Sequence, residues 1–262
     1  MKCLVILVSM FGAANLSKIT GGRNLGNISV AMAVYNGAEF LREQVDSILF
    51  QLEKDDELVI SYDKSTDSTW DILSEYAQKD TRVRLLINDC PGVIGNFNNA
   101  ISHCQNDYVF ISDQDDRWAS NKREIMVKAF TDTCADMIIH DGVHIDVKGN
   151  IISTNFFKLF RIKPSDSALR IFIRPRYSGC TMGFNQKIKR RILPLPAKID
   201  GYDTWIAILS KVYGKVSYVD NCLLFHRLHD KNVTEKQRRP LSVKLKGRLY
   251  MAWHLLIRFF RK

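Results

Sequence analysis

Residues 108–118 read YVFISDQDDRW. Their first half is apolar and rich in aromatic and β-branched side chains, as in a buried strand. Three acids follow at once, Asp113, Asp115 and Asp116. Like charges this close are costly unless a cation neutralises them, and carboxylate oxygens beside a phosphate suit Mg²⁺ or Mn²⁺. The stretch therefore predicts a strand that carries an acidic group to one edge of a sheet. The alternative is a solvated acidic turn that caps a helix beginning near Ser120.

The chain before this stretch alternates between short apolar strands and helical spacing. Strands are predicted over residues 28–34, 58–61, 83–87 and 108–111. Asn36, with Glu39 three positions later, predicts a capping box for the first helix, and Asp67 predicts the cap of the second. Strands and helices that alternate at this spacing predict an α/β fold, in which a mostly parallel sheet carries helices on both faces.

Polar segments follow three of these predicted strands. They cover residues 35–37, 62–67 and 113–116. Ligands of open α/β sheets bind beyond the carboxyl ends of the strands, so we expect the three segments to converge on one ligand-binding edge. The chain contains neither a G-x-G-x-x-G nor a P-loop sequence, which argues against an NAD or ATP site.

The second half of the chain has a less regular pattern of apolar and polar residues. Further strands are predicted over residues 143–147, 151–154, 178–184, 216–219 and 223–226. The first two flank a turn and predict a hairpin. Asp203 begins an apolar helix that Gly214 ends. Residues 156–176 are basic and aromatic, without a regular pattern.

The basic excess of the protein is confined to one end. The 262 residues carry a formal net charge of +10, from 38 Lys and Arg against 28 Asp and Glu. Residues 238–262 hold eight basic and no acidic residues, which leaves +2 for the other 237. This distribution argues against a nucleic-acid-binding protein, whose basic surface would belong to the folded body, and indicates one local basic element.

The apolar run over residues 4–11 is similar to a signal peptide but too short for a membrane span, which needs about 20 apolar residues. We interpret residues 1–27 as an N-terminal extension before the domain. The six cysteines are scattered and form no C-x-x-C pair. This argues against a zinc knuckle or a disulfide framework and favours a reducing compartment.

The C-terminal residues predict an amphipathic helix. Its large apolar side chains share one face and are Leu245, Leu249, Ala252, Trp253, Leu256, Phe259 and Phe260. Lys and Arg lie largely on the other face. This pattern is typical of a helix in a membrane interface, where each basic residue near an anionic leaflet adds about 1 kcal/mol. The alternative is a terminal helix that docks on the domain and turns its charges to solvent.

Seven blocks of the sequence resemble, in order and spacing, the family-2 glycosyltransferases. The blocks similar to the donor half are VAMAVYNGAEFLREQVDSIL (30–49), ISYDKSTDST (60–69), GVIGNFNNAI (92–101) and ISDQDDRW (111–118). The blocks similar to the acceptor half are SGCTMGFN (178–185), GYDTW (201–205) and RLHDKN (227–232). The SDQDD-W segment is most similar to the bacterial subgroup labelled rhamnosyltransferase-like.

The resemblance implies a GT-A fold, a Rossmann-like single domain over residues 28–235. Residues 28–118 would form its nucleotide-sugar half and residues 119–235 its acceptor half, followed by a basic amphipathic tail over 236–262. It also implies a nucleotide-sugar donor, one divalent cation (Mg²⁺ or Mn²⁺) and inversion at the anomeric carbon. Inverting transfer is a single displacement, so it needs one base for the acceptor hydroxyl and charge relief on the leaving diphosphate.

The resemblance further implies roles for individual residues. The donor-binding positions are Ala33, Val34, Tyr35, Asp63, Asn96, Asp113 and Arg227. The metal-binding positions are Asp113, Asp115 and His229. Asp203 would be the general base that deprotonates the acceptor. Without the resemblance, Asp203 is an N-cap and His229 a surface residue of a basic loop.

The sequence departs from the family pattern at Tyr62 and Lys64, where the family usually has an acid and a glycine. Lys64 replaces a residue that tolerates positive φ, which predicts a reshaped loop. The alternatives are a degenerate membrane-associated binding protein of the same fold, a metal-dependent nucleotidyltransferase or phosphohydrolase, and a lipid- or polyanion-binding module. The intact Asp113, Asp115 and Asp203 favour an enzyme.

Together, sequence and resemblance predict a peripheral glycosyltransferase of EC class 2.4 at the cytoplasmic face of the plasma membrane. Its expected pathway is the synthesis of a bacterial surface polysaccharide, such as O-antigen or capsule. The expected partners are a nucleotide-sugar, a glycolipid or saccharide acceptor, and a membrane surface that the C-terminal helix contacts. No nucleic acid is expected.

Overall fold

The computed structural model describes residues 26–199, 201–230, 232 and 241–260. The interpretation of residues 1–27 as an extension therefore falls almost wholly outside the described residues, and so do residues 236–240 and 261–262 of the predicted tail. The described strands are β1 (Ile28–Val34), β2 (Glu57–Tyr62), β3 (Val83–Ile87), β4 (Tyr108–Ser112), β5 (Arg117–Trp118), β6 (Met137–Ile145), β7 (Met182–Asn185) and β8 (Val216–Arg227).

Nine α-helices lie within the same described ranges. They are α1 (Leu41–Leu49), α2 (Thr69–Lys79), α3 (Val93–His103), α4 (Lys122–Thr133), α5 (Phe156–Leu159), α6 (Ala168–Ile173), α7 (Gln186–Ile192), α8 (Tyr202–Tyr213) and α9 (Leu241–Phe260). A short 3₁₀ turn, Gly179–Thr181, leads into β7. The predicted alternation of strand and helix through the first half is confirmed.

The described strands form one mixed sheet in the order β3-β2-β1-β4-β7-β6-β8-β5. The four strands β3, β2, β1 and β4 are parallel, and β6 is parallel to β8. Strand β7 runs antiparallel to both β4 and β6, and the short β5 runs antiparallel to β8. The sheet is therefore mostly parallel, and the acidic segment after β4 lies at its centre.

Two apolar cores cover the two faces of the sheet. The alternation along β1 places Val30 and Met32 in one core with α1 and α4, while Ala31 faces the other core with α3 and α8. Because both faces are covered, β1 is apolar at every position except Ser29 rather than alternating between apolar and polar residues.

Several local predictions are wrong. Asn36 does not cap α1, because the helix begins five residues later behind Phe40 and no side chain caps it. Asn36 instead adopts a left-handed φ of 48°. The two strands predicted over 216–219 and 223–226 are one strand, β8, whose pairing with β6 continues through register shifts. The predicted strand over 178–184 begins as the 3₁₀ turn, and the predicted strand over 151–154 is reduced to a single bridge between Ile145 and Ile151.

The C-terminal helix α9 docks on the domain through one face. Met251 and Leu255 are buried in the core beside α8. Arg258 donates to the carbonyls of Leu193 and Pro194 at 2.6 and 2.9 Å. The large apolar side chains of the predicted face remain exposed. Within the described ranges, no helix has the length and apolar character that crossing a membrane requires.

Candidate active site

The carboxyl ends of β1 and β4 are held together by one side chain. Gln114, which follows β4, accepts the N–H of Tyr35 at 2.8 Å and donates to its carbonyl at 2.9 Å. An added Cβ at Gly37 would lie 2.6 Å from the Gln114 Oε1, so Gly37 permits this close approach. The Tyr35 side chain is 54% exposed on the same edge. The predicted convergence of the segments after β1 and β4 is thus present.

The loop after β2 joins the same edge. The Asn36 Oδ1 accepts the N–H of Thr66 at 2.8 Å, and Asp67 accepts the N–H groups of Ala38 and Thr69 at 3.2 and 3.1 Å. Asp67 therefore bonds both the first residue of α2 and the loop before α1, but the N-cap of α2 is Ser68 rather than the predicted Asp67. Among the described residues, positive φ in this region falls on Asn36 rather than on Lys64, so Lys64 imposes no strain here.

Two of the predicted donor-binding residues lie beneath this edge and make contacts within the protein. Asp63 accepts from the Asn88 side chain at 2.6 Å and from the Gly92 N–H at 2.8 Å, which fixes the start of α3. Asn96 donates to the carbonyl of Val34 at 3.1 Å, while its buried Oδ1 has no protein partner. Ala33 and Val34 are the last two residues of β1, at the end of the strand nearest the site. The donor contacts of all these residues stay predictions.

The acidic segment after β4 meets the loop after β8. The Asp115 Oδ2 lies 2.9 Å from the His229 Nε2, and the two side chains are only 15% and 9% exposed. Asn232 donates to both the Asp115 carboxylate, at 3.4 Å, and the Arg227 carbonyl, at 3.1 Å. The Phe40 ring lies 5.0 Å from the imidazole of His229. The structure therefore brings together two of the three residues predicted to bind metal.

A second pair of an aspartate and a histidine is buried more deeply than Asp115 and His229. The His226 Nδ1 lies 2.7 Å from the fully buried Asp116 carboxylate. Burial opposes the charge of this imidazole, but Asp116 outweighs it and raises the pKa of His226 to about 9. Burial, with the charges of Asp116 and Asp115, raises the pKa of Asp113 to about 7. The acids after β4 therefore differ, because Asp116 is ion-paired with His226 whereas the pKa of Asp113 is raised.

Two arrangements of these groups could hold a cation. Ligand atoms of Asp113, Asp116, Cys180 and His226 all lie within 4.8 Å of one another. Burial raises the pKa of the Cys180 thiol well above its usual value, and His226 is protonated, so both would have to lose a proton first. The pair of Asp115 and His229 is the simpler arrangement. Its 2.9 Å contact is a hydrogen bond from Nε2 to the carboxylate, so an ion held by both groups would take the place of a single proton.

Arg227, predicted to bind the donor, is buried and makes contacts within the protein. Its side chain is 2% exposed, and it pairs with Glu43 at 2.5 Å. It also donates to the backbone carbonyls of Asp115 at 3.3 Å and Val147 at 3.0 Å, and its guanidinium stacks on Phe40 at 4.7 Å. These contacts favour a role for Arg227 in positioning Asp115 rather than in touching the donor.

Asp203 lies in the first turn of α8, behind Gly201, whose φ is 96°. Its carboxylate accepts the N–H of Thr204 at 2.6 Å. The preceding Tyr202 stacks on Phe97 at 4.3 Å between ring centroids. Burial raises the pKa of Tyr202 well above its usual value, with further contributions from the charges of Asp113 and Asp203. The Tyr202 hydroxyl is thus within electrostatic reach of both the acids after β4 and the predicted base on α8.

Several residues of the site were not predicted. They are Gln114, Asp116, His226, Tyr202 and Lys122. Lys122 is fully buried, donates to the Cys180 carbonyl at 3.0 Å and lies over the Trp118 ring. Burial lowers its pKa to about 7. Asp116 was visible in the sequence as part of the acidic group, but its partner His226 is 110 residues away, and nothing local marks that pairing.

The family model of Glycosyl transferase family 2 matches residues 29–193. The chain belongs to this family. The matched range begins at β1 and includes the acidic segment after β4, so the resemblance expected from the sequence is confirmed at the level of the family. The rhamnosyltransferase-like subgroup is a finer assignment, to which the family match does not extend.

Curated relatives from bacteria are similar over most of the chain. TuaG of Bacillus subtilis (strain 168), named for teichuronic acid biosynthesis, is 26% identical over 221 residues, 80% of this chain and 82% of its own. EpsH of the same organism, named as a glycosyltransferase, is 22% identical over 82% of this chain. The chain spans 64% of the length of EpsH.

Solved structures share the fold. The Staphylococcus aureus TarS fragment 1–349 in complex with UDP-GlcNAc superposes with a TM-score of 0.70 over 88% of this chain and 66% of its own, at 17% identity. The mannosyltransferase PcManGT of Pyrobaculum calidifontis, in complex with GDP-Man and Mn²⁺, superposes with a TM-score of 0.62 over 89% of this chain and 73% of its own, at 16% identity. The expected α/β fold of GT-A type, with its C-terminal helix, is confirmed.

Proposed function

We propose that this protein transfers a sugar from a nucleotide-sugar to an acceptor hydroxyl, with inversion at the anomeric carbon and with the help of a divalent cation. The observation that carries the proposal is the pair of Asp115 and His229, 2.9 Å apart at the carboxyl end of β4. This is the edge at which ligands of open α/β sheets bind. The division into a nucleotide-sugar half, residues 28–118, and an acceptor half, residues 119–235, is part of the proposal.

Each side chain has one task in this reaction. Asp115 and His229 would hold a Mg²⁺ or Mn²⁺ ion, which offsets the charge of the leaving diphosphate. Asp113 contacts the donor ribose and that ion. Asp203 takes the proton of the acceptor hydroxyl as this oxygen attacks the anomeric carbon. Asp63, with the end of β1, contacts the nucleoside base. The presence of Mn²⁺ in the complex of PcManGT supports the choice of ion.

The pathway and location follow from the relatives and from α9. TuaG is named for teichuronic acid biosynthesis, which supports a role in bacterial surface polysaccharide synthesis, such as O-antigen or capsule. The exposed apolar face of α9 supports peripheral attachment to the cytoplasmic face of the plasma membrane. The acceptor is then a glycolipid or saccharide at that surface. The similarity to the rhamnosyltransferase-like subgroup makes dTDP-rhamnose one donor to test.

The experiment is a donor panel of UDP-, dTDP- and GDP-sugars, measured by calorimetry and by donor hydrolysis with Mn²⁺, Mg²⁺ or EDTA. We expect one nucleotide class to bind at micromolar Kd only when a metal is present. Asp115→Asn and His229→Ala should each weaken metal-dependent donor binding about 10- to 100-fold. Asp132→Asn, which changes an exposed acid on α4, should leave it unchanged.

The base is tested separately. Asp203→Asn should lower the rate of transfer about 10²- to 10⁴-fold and leave donor Kd within twofold, because the residue acts on the acceptor. If no donor binds with any metal, the proposed enzyme activity is wrong and a degenerate binding protein of the same fold remains. Full transfer activity in Asp203→Asn would remove this residue from the mechanism.

A further inference from the structure

The short helix α6 presents an apolar face to solvent. Leu169 and Ile173, four residues apart on one side of the helix, are 68% and 55% exposed. Ile171, on the opposite side, is buried in the core that α8 shares. A helix that packs on the domain through one side and exposes large aliphatic side chains on the other indicates a contact surface.

The segment around α6 is strongly basic. Residues 156–176 contain six Lys and Arg and a single acid, Asp166. Asp166 is buried and pairs with Arg170 at 2.9 Å. Arg161, Lys163 and Arg174 of this segment are exposed. Exposed aliphatic side chains therefore share the segment with exposed cations, while its one acid is buried.

Helix α9 is joined to α6 at this surface. Arg248 of α9 donates to the carbonyls of Phe172 and Ile173, at 3.0 and 2.7 Å, and so closes the C-terminal end of α6. The outer face of α9 carries five side chains within an arc of about 80°, from a rotation of 100° per residue. They are Leu245, Leu249, Trp253, Leu256 and Phe260, each more than half exposed.

We propose that α6 and α9 together form one membrane-binding surface whose partner is an anionic lipid bilayer. The inference extends the membrane contact proposed above for α9, and its consequence for the acceptor rests on the proposed function. The choice of a bilayer rests on charge. Residues 156–176 and 238–262 together hold fourteen basic residues and one buried acid. Apolar side chains framed by cations match the interface of an anionic leaflet.

A second contact changes what membrane binding can do. The apolar arc of a single amphipathic helix limits, but does not fix, how far the domain can roll about the helix axis. A second point of contact at α6 removes that freedom. Since α6 packs on α8, whose first turn carries Asp203, the two contacts together hold the acceptor half towards the leaflet. A lipid-linked acceptor would then meet the base without leaving the membrane surface.

The test is co-sedimentation of the full chain with vesicles, either phosphatidylcholine alone or with 30% phosphatidylglycerol, a composition about as anionic as needed for electrostatic binding. The Leu169→Ser/Ile173→Ser variant should lower the partition coefficient on anionic vesicles about tenfold. Arg174→Ser should lower it about fivefold on anionic vesicles and leave it unchanged on neutral ones. The matched control is Phe50→Ser, which removes a 79% exposed side chain at the end of α1 and should have no effect.

Binding of the α6 variant equal to that of the unmodified protein, with the control also unaffected, would overturn the proposal. So would a dimer in light scattering that the same variant dissociates, since the face would then belong to a protein contact. Thermal unfolding should show that the variant folds like the unmodified protein. Vesicle binding needs no donor, so a protein without transferase activity still tests this surface, and loss of vesicle binding with intact donor hydrolysis leaves the enzyme proposal standing.

Discussion

Arg227 links three parts of the site from inside the protein. Its guanidinium pairs with Glu43 after β1, donates to the carbonyl of Asp115 after β4, and reaches Val147 after β6. Lysine has one charged nitrogen, so it cannot donate in one plane to three separate groups as this guanidinium does. These contacts indicate that Arg227 sets the position of Asp115, the acid proposed to bind the metal.

Arg227→Lys tests this role. We expect the free energy of unfolding to fall by about 1–3 kcal/mol, because buried carbonyls lose their donors while the half-exposed Glu43 is partly solvated. The Kd for the metal should rise in the same variant, because Asp115 loses the hydrogen bond that holds its backbone in place. Urea unfolding and Mn²⁺ titration measure the two effects. An unchanged metal Kd in a destabilised variant would mean that Arg227 stabilises the fold but does not position Asp115 for metal binding.

Tyr202 gives a second prediction at this scale. An added Cβ at Gly179 would lie 2.3 Å from the Tyr202 hydroxyl, so Gly179→Ala must move that ring. Because Asp203 is the next residue, we expect kcat for transfer to fall about tenfold or more, with a smaller change in donor Kd. Steady-state kinetics with calorimetric donor binding separate the two. A kcat within twofold of the unmodified protein would show that α8 absorbs the shift without moving Asp203.

The residues of the site divide by how far apart their partners lie in the chain. Asp113, Asp115 and Asp203 could be assigned because strand ends and family blocks are local signals. Gln114 could not be assigned, because its contacts with Tyr35 span 79 residues and nothing in the local sequence marks a glutamine between two aspartates as functional. The same holds for Asp116 with His226. Arg227 was assigned by position alone, and its burial, which the sequence does not encode locally, changed its expected role.

At the scale of elements, continuity of apolar residues decided which strands were predictable. Strands β1 and β3 have the predicted bounds because each is a short apolar run between turn residues. Strand β8 was predicted as two because Asp220 and Asn221 interrupt it, yet its pairing with β6 passes through register shifts beside them. Tertiary pairing thus overrides a local break. The two-residue β5 exists only through its contact with β8 and has no signal of its own.

Asp136, directly before β6, contacts the start of α7 and the residue before β8, and its contacts yield a pH prediction. It accepts from Asn185 and Lys187 around the start of α7 and from the N–H of Lys215 before β8, each at 2.9 Å. Burial opposes its charge, but these donors outweigh burial and lower the pKa of Asp136. A lowered pKa in the folded state means stability that is present above the unfolded value near 4 and is lost as pH falls through the folded value.

Asp136→Asn should therefore destabilise the protein by about 1–3 kcal/mol at pH 7, and the difference should shrink as the pH falls below about 4. Urea unfolding at a series of pH values measures it. Asp132→Asn, at an exposed pair on α4, should change stability by at most about 0.5 kcal/mol. A difference between Asp136→Asn and the unmodified protein that stays constant down to pH 3 would mean that the carboxylate charge is not what joins these elements.

At the scale of the whole molecule, α9 docks on the domain and still exposes the apolar face on which the membrane interpretation depends. It docks, through Met251 and Leu255 in the core and through Arg248 and Arg258 on backbone carbonyls. It also keeps its large apolar face exposed. The sequence suggested a choice between docking and membrane binding because a helical wheel shows one dominant apolar face. The second, narrower face became visible only once the domain surface was in place.

Because α9 covers the core beside α8, truncation before α9 would expose that core as well as remove the proposed membrane contact. Truncation is therefore a poor test of membrane attachment. Two single substitutions on the same helix separate the roles. Leu255→Ser, at a 7% exposed position, should cost about 2–4 kcal/mol of unfolding free energy. Leu249→Ser, at a 63% exposed position, should cost at most about 0.5 kcal/mol and yet weaken binding to anionic vesicles several-fold. Equal loss of stability in both variants would mean that the outer face of α9 is covered in solution, and a membrane role for that face would then be wrong.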